Sequence, residues 1–305
     1  GEALYREAAE AGFARGRIGL AMILLQDGTA ENATQARDLL AVAAAEGAAI
    51  AHHLSGMMAE SGAGGLVDLP AAAASYRAAA EMGHAPAQAR YGFALLHGRG
   101  TECDKFTAET WLRRAALAGE AQAAAVMGYL YAQSDDLPVN HAEAAMWLQR
   151  AAEAGHAGGA RTLGRMHMLG TGVPKNIQEA LPWLRIAAGA GDDGACADLA
   201  QLALTGQADE QDRHATVAWL RPRAVGGDPV AQFGLGLCLA EGIGVEQNDQ
   251  AALKWFLRAA ETLPAAQCWC GKMLAEGRGC DPDPDAAQAW LLRASEHRVA
   301  EARAG

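Results

Sequence analysis

An all-α solenoid, an α/α stack of about eight helix-turn-helix units, is predicted by three ladders of residues. Six tryptophans, Trp111, Trp147, Trp183, Trp219, Trp255 and Trp290, stand 36, 36, 36, 36 and 35 residues apart. Eight short polar residues, Asn32, Asp68, Asp104, Asn140, Asn176, Asp212, Asn248 and Asp283, keep the same step. Gly47, Gly83, Gly119, Gly155, Gly191 and Gly227 form the third ladder. A period of this size marks a stack of supersecondary units, none of which can bury its apolar face alone. Residues 1–305 are therefore expected to form a single array without an internal domain boundary.

Asn and Asp are strong N-caps, because the side-chain oxygen accepts a hydrogen bond from a helix N–H that has no intrahelical partner. Each step of the polar ladder thus predicts the start of a helix, here called helix B. Asn32 with Gln35, Asn140 with Glu143 and Asn176 with Glu179 have capping-box spacing. Pro284 follows Asp283 at the first helical position, where its missing N–H costs nothing. Helix B carries its tryptophan seven residues after the cap and stops at the glycine ladder. A helix end commonly needs a left-handed residue there. At Leu263-Pro264 the turn loses one residue, which produces the 35-residue interval. Pro182 and Pro222 fall inside helix B of two units and are expected to kink it.

A second helix, helix A, follows each glycine. It has a small-residue row of its own: Gly56, Gly92, Gly128, Gly164, Gly236 and Gly271, with Ala21 and Ala200 in the remaining units. Gly inside a helix costs about 1 kcal/mol relative to Ala, so its recurrence predicts close helix–helix approach. Helix A ends in G-x-G turns at Gly62 to Gly64, Gly98 to Gly100, Gly170 to Gly172, Gly242 to Gly244 and Gly277 to Gly279. Connections this short make neighbouring helices antiparallel. Roughly seventeen helices are expected, and no strand-like alternation competes. Two loops, at Ser134 to Asp136 and at Gln207-Ala208, lack the G-x-G turn and are expected to be irregular. The chain opens within a lone helix B (Leu4 to Ala11), and Val299 to Arg303 reads as the start of another helix A. Both ends look mid-array, so the expectation is either a fragment of a longer protein, with further repeats of the same protein as partners, or an array capped in trans.

The combination A-x-x-W-x-x-x-A-A-x-x-G, the pairs Leu163-Gly164 and Leu235-Gly236, and the closing G-x-G-V resemble the Sel-one-like repeat family, relatives of the tetratricopeptide repeats. The resemblance covers essentially the whole chain. It implies a right-handed α/α superhelix. It also implies an adaptor role, as in bacterial signalling, envelope assembly, host interaction or eukaryotic protein quality control. One branch of that family bridges the two helices of each unit with disulfides. Here Cys196 has a comparable place, but Ala188 stands where its partner should be, so that branch and its β-lactam-related activity are not indicated.

Composition narrows the function classes. The net charge of −11 argues against a dominant nucleic-acid-binding role, which needs clustered excess Lys and Arg. No apolar run is long enough to cross a bilayer. The six cysteines, Cys103, Cys196, Cys238, Cys268, Cys270 and Cys280, are read mostly as reduced, buried small residues. No cofactor or metal site is expected. There is no H-E-x-x-H, and Cys268 and Cys270 would point to opposite sides of a helix. Asp281 to Asp285 begins like a calcium loop but has Ala286 at the glycine position. No nucleophile elbow or phosphate loop occurs.

Rows that hold one residue type across the repeats are packing rows, and rows that vary are free of that constraint. On helix A the residue after the small row reads Met22, Met57, Phe93, Tyr129, Arg165, Gln201, Leu237, Lys272. Four positions on stand Gln26, Ser61, His97, Gln133, Leu169, Thr205, Glu241, Glu276. At 100° per residue both rows point away from the alanine and leucine face. By resemblance to related solenoids this face lines a concave groove that binds a partner protein or peptide. Candidate contacts are Met57, Phe93, His97, Tyr129, Gln133, Arg165, Gln201, Leu237, Glu241 and Lys272, with Arg165 and Lys272 selecting a carboxylate. The competing reading of these rows is an ordinary solvated surface. The tryptophans are expected to be core wedges. The arginines near the end of helix B (Arg113, Arg114, Arg150, Arg185, Arg221, Arg258, Arg293) are expected to form a solvated face favoured by the helix dipole. Two functions remain: a non-enzymatic scaffold, or a carbohydrate- or cell-wall-binding module or hydrolase using His97, Gln133, Arg165 and Glu241.

Overall fold

The computed structural model describes residues 1–133 and 138–304, with side chains described up to residue 295. The predicted loop at Ser134 to Asp136 lies outside the described residues. The described residues form seventeen α-helices and no strand. They fall into two compact units, residues 1–176 and residues 177–305.

The first unit holds α1 (Glu2–Glu10), α2 (Ala14–Gln26), α3 (Ala30–Ala45), α4 (Ala49–Ser61) and α5 (Leu69–Glu81). It continues with α6 (Ala85–His97), α7 (Lys105–Leu117), α8 (Ala121–Gln133), α9 (His141–Glu153) and α10 (Ala157–Leu169). The second unit holds α11 (Ile177–Gly189), α12 (Asp193–Leu204), α13 (Glu210–Val225) and α14 (Pro229–Glu241). It ends with α15 (Asp249–Ala259), α16 (Pro264–Glu276) and α17 (Pro284–Ala304). Even-numbered helices are the predicted helices A and odd-numbered ones the helices B. Within each unit most helices A pack more extensively on the helix B that follows than on the one before, as in α4 on α5, α6 on α7, α8 on α9, α14 on α15 and α16 on α17, whereas α12 divides its contacts between α11 and α13.

The glycine row explains that pairing. A Cβ on Gly56 would lie 2.6 Å from Tyr76 Cε1, one on Gly92 2.7 Å from Leu112 Cγ, and one on Gly236 2.7 Å from Phe256 Cε1. The backbone of helix A therefore rests directly on a large side chain of helix B. The equivalent helix B position holds Leu40, Tyr76, Leu112 and Leu148 in the first unit and Leu184, Leu220 and Phe256 in the second. All are buried to 4% exposure or less. Burying each contributes about 1.5–3 kcal/mol. Alanines one turn away, such as Ala108, Ala144, Ala180 and Ala252, are fully buried and let the helices close around the row.

The second glycine of each G-x-G turn makes the other joint. Gly64, at φ +71°, packs on the helix B of the preceding repeat, where a Cβ would lie 2.8 Å from the Ala33 carbonyl. Gly100, Gly172, Gly244 and Gly279 meet Leu69, His141, Arg213 and Asp249 in the same way. Only a residue without a side chain fits both the backbone angle and the space.

Five predicted caps are formed: Asp68 accepts from Ala71 N–H at 2.9 Å, Asp104 from Thr107, Asn140 from Glu143, Asn248 from Ala251 and Asp283 from Ala286. Two are corrected. Asn32 and Asp212 each sit one turn inside the helix, and the caps are Thr29 and Asp209, which accept the Asn32 and Asp212 N–H groups at 3.2 and 3.0 Å. Both alternatives are cap-type residues, so α3 and α13 gain a turn and reach 16 residues. A second correction concerns the end of the chain. Val299 to Arg303 does not open a new helix A but continues α17, because no glycine interrupts residues 284–304. Pro182 and Pro222 stand inside α11 and α13 on exposed faces. At Gln207-Ala208 the link from α12 uses the left-handed Gly206 (φ +75°) and a buried Ala208 instead of G-x-G.

Candidate functional site

All ten predicted contact residues reach the surface. Met57 and Tyr129 are 40% and 39% exposed. His97, Gln133, Arg165, Gln201, Glu241 and Lys272 are exposed, and Phe93 and Leu237 are partly buried. In the first unit Met57 and Phe93 line one cavity of about 540 Å³, while Phe93 and His97 line a second of about 250 Å³. Tyr129 extends to the start of α10, where a Cβ on Gly158 would lie 3.2 Å from its hydroxyl. Gln133 and Arg165 line neither cavity.

In the second unit the candidates are more occupied. Leu237 packs on the core around Phe256. Glu241 pairs with Arg278 at 3.5 Å, and Arg278 also donates to the Ala240 carbonyl and to Asp249. Lys272 lies over the Trp269 ring at 5.0 Å, three residues back on its own helix. Its charge is thus shared with an indole face.

The structure adds groups outside the two rows, drawn from helices α4, α5 and α6 and the turn that follows α6. On α4, Glu60 follows Met57 by three residues and accepts the Tyr76 hydroxyl hydrogen at 2.7 Å. Arg90 and Arg99 approach Glu60 at 3.6 and 3.3 Å. Arg90 precedes Phe93 by three residues, so the spacing i, i+3 that relates neighbours on a helix was the available signal. His53, one turn before Met57, lies 4.9 Å from His84 ring to ring. Burial, then the neighbouring His84 and Arg90, push it down to about 4, and its Nδ1 has no hydrogen-bond partner among the described residues. Burial and Glu60 raise the Tyr76 hydroxyl, which therefore stays a donor at neutral pH.

The helix B rows differ from expectation. Only Trp147 of the ladder is a core residue, at 2% exposure; Trp111, Trp183, Trp219, Trp255 and Trp290 are half-buried, and the residue after each tryptophan takes the core position, except that Leu291 is 46% exposed. The arginines are not simply solvated. Arg114, Arg223, Arg258 and Arg293 lie 4.7–5.4 Å from the centroids of Trp111, Trp219, Trp255 and Trp290. Arg150 donates to the Ala116 and Leu117 carbonyls at the end of α7. Arg113 joins Glu109, Tyr131 and Glu143, and Arg185 pairs with Asp209 and with the buried Asp212. Arg113, Arg150, Arg185 and Arg223 thus join neighbouring helices, whereas Arg114, Arg258 and Arg293 cover a tryptophan of their own helix.

Of the cysteines, only Cys238 and Cys270 are buried, with burial pushing their thiols up to about 11 and about 12. Cys103 and Cys268 are exposed, which corrects the expectation of mostly buried thiols. Among the described residues, no three His, Cys, Asp or Glu side chains group to hold a metal ion. None of the described helices is long and apolar enough to cross a membrane.

Units of helix A, G-x-G turn and helix B, stacked through glycine joints, define the class as an all-α repeat solenoid. The Sel1 repeat matches seven segments, residues 49–84, 85–120, 121–156, 160–192, 194–222, 229–261 and 264–298, and the chain belongs to that family. Sel1 repeat proteins are generally protein-interaction scaffolds and typically not enzymes. Among solved structures, the chain is similar to a protective antigen of uropathogenic Escherichia coli displaying an SLR fold. The identity is 25% and the TM-score 0.61, covering 96% of this chain and 71% of that one. It is also similar to a Sel1 repeat protein from Oxalobacter formigenes, at 27% identity and TM-score 0.60, covering 96% and 86%. No curated protein matches the chain significantly.

Proposed function

We propose that the chain is a non-enzymatic scaffold that holds a partner protein or extended peptide on the variable face of its helices A, acting as one array over residues 1–305. The observation that carries this reading is the pairing of constant and variable rows. On helix A the small-residue row is Gly or Ala in every repeat and buried throughout. One position further on, Met57, Phe93, Tyr129 and Leu237 are large apolar groups at the surface or partly covered. Exposed apolar side chains aligned on one face favour a macromolecular contact. Family membership supports the same direction, since Sel1 repeats typically mediate protein interactions.

The hydrolase or sugar-binding reading has no comparable support, since its set spans both units and Glu241 is already paired. The test is affinity capture with the purified chain, followed by binding measurements on the captured partner. Tyr129→Ala and Arg165→Glu are expected to weaken the partner about tenfold or more, with helical circular dichroism and melting unchanged. A matching loss of fold, or full binding by both variants, counts against the scaffold surface.

A further inference from the structure

Two adjoining cavities of the first unit share Arg90, Phe93 and Gln122. The inner one, about 250 Å³, is walled by Ala72, Ala73, Tyr76, Phe93 and Val126. That volume lies at the small end of ligand pockets and suits one side chain better than a whole small molecule. The rim is charged. Glu60 stands between Arg90 and Arg99, so two guanidinium groups share one carboxylate in a chain whose total charge is −11. Both arginine side chains are about half exposed, at 48% and 57%, and neither makes a short bidentate pair with Glu60. Each guanidinium has five N–H donors, more than Glu60 can take up. Glu120 lies on the wall of the outer cavity, where His53 is also found.

We propose that this site reads an acidic apolar peptide segment. A bulky aliphatic or aromatic side chain enters the inner cavity against Phe93 and Tyr76, and an adjacent carboxylate docks on Arg90 and Arg99. The proposal rests on the scaffold reading of the helix A face and narrows it to one partner chemistry. Carboxylate and guanidinium planes match, and the apolar wall beside them supplies selectivity for what flanks the acid. Glu60 holds the two arginines in place while competing with the incoming carboxylate.

The full chain is titrated with acetyl-Leu-Asp-Leu-amide, with its Asn counterpart, and with acetyl-Leu-Asn-Leu carrying a free terminal carboxylate. Saturable binding of at least one acid-bearing peptide is expected, with the all-amide peptide at least about tenfold weaker. Which acid binds tells a side-chain carboxylate from a chain terminus. Arg90→Gln and Arg99→Gln are expected to lower that affinity about tenfold. Glu60→Gln, which still accepts from Tyr76, is expected to raise it. Equal binding of acid and amide peptides, no binding of any, or a loss in Glu60→Gln matching that in Arg90→Gln overturns the proposal. A captured partner that is lost in Tyr129→Ala yet kept in Arg90→Gln and Arg99→Gln would also overturn it while leaving the scaffold reading intact.

Discussion

At Gly236 two effects oppose each other. Local preference favours Ala over Gly inside a helix by about 1 kcal/mol. Packing does the reverse, since an added Cβ would lie 2.7 Å from a Phe256 ring that has no exposed surface. A buried ring that must move off its rotamer costs about 1–3 kcal/mol. Gly236→Ala is therefore expected to lower the urea midpoint, whereas Gly189→Ala, with nothing within 4 Å, should raise it. A rise in both would remove the close approach as the reason for the glycine row. The tryptophan row shows the same limit on local reading. A period of 36 residues identifies equivalent positions, but not which of two neighbours faces inward. One residue is 100° around the helix, and the core position belongs to Leu112, Leu148 and Phe256. The indoles lie beside it, half covered by arginines three or four residues later.

Helix boundaries are decided at the scale of the element. Thr29 and Asn32, like Asp209 and Asp212, are pairs of cap-type residues three apart. Sequence offers both starts, and the 36-residue ladder favours the inner one. The outer one is used. In α13 the inner residue has another role, because Arg185 binds Asp212 at 2.7 Å in a site where the carboxylate is 3% exposed. Thr29→Ala is accordingly expected to cost about 1 kcal/mol, and Asn32→Ala only a few tenths, in matched denaturant titrations. Equal losses would return the cap to Asn32. Helix ends at glycine were legible throughout, because the left-handed backbone at Gly47, Gly83, Gly119 and Gly155 leaves the chain little choice. The uninterrupted run of α17 follows from the same rule read in reverse.

For the whole molecule, the repeat pattern makes stability a sum of unit terms and nearest-neighbour terms. If residues 1–305 act as one array, calorimetry should give a single transition, and Gly236→Ala should move it as a whole. Two transitions, only one of them shifted, would instead assign the compact units of residues 1–176 and 177–305 separate stabilities. The outward rows were readable from variation among the repeats. The cluster of Glu60, Tyr76, Arg90 and Arg99 was not, because its members come from three helices and a turn in two repeats, with no shared period.

By itself, the sequence determined the repeat, the order of the helices, the glycine turns and the outward rows of helix A, since these follow from periodic positions and backbone rules within about 36 residues. Only tertiary structure decided which residue of helix B enters the core, which cap is used, which arginines join neighbouring helices and where a charged cavity opens. Those outcomes depend on side chains from different helices meeting in space, and a contact between residues about 30 apart leaves no mark in either local pattern.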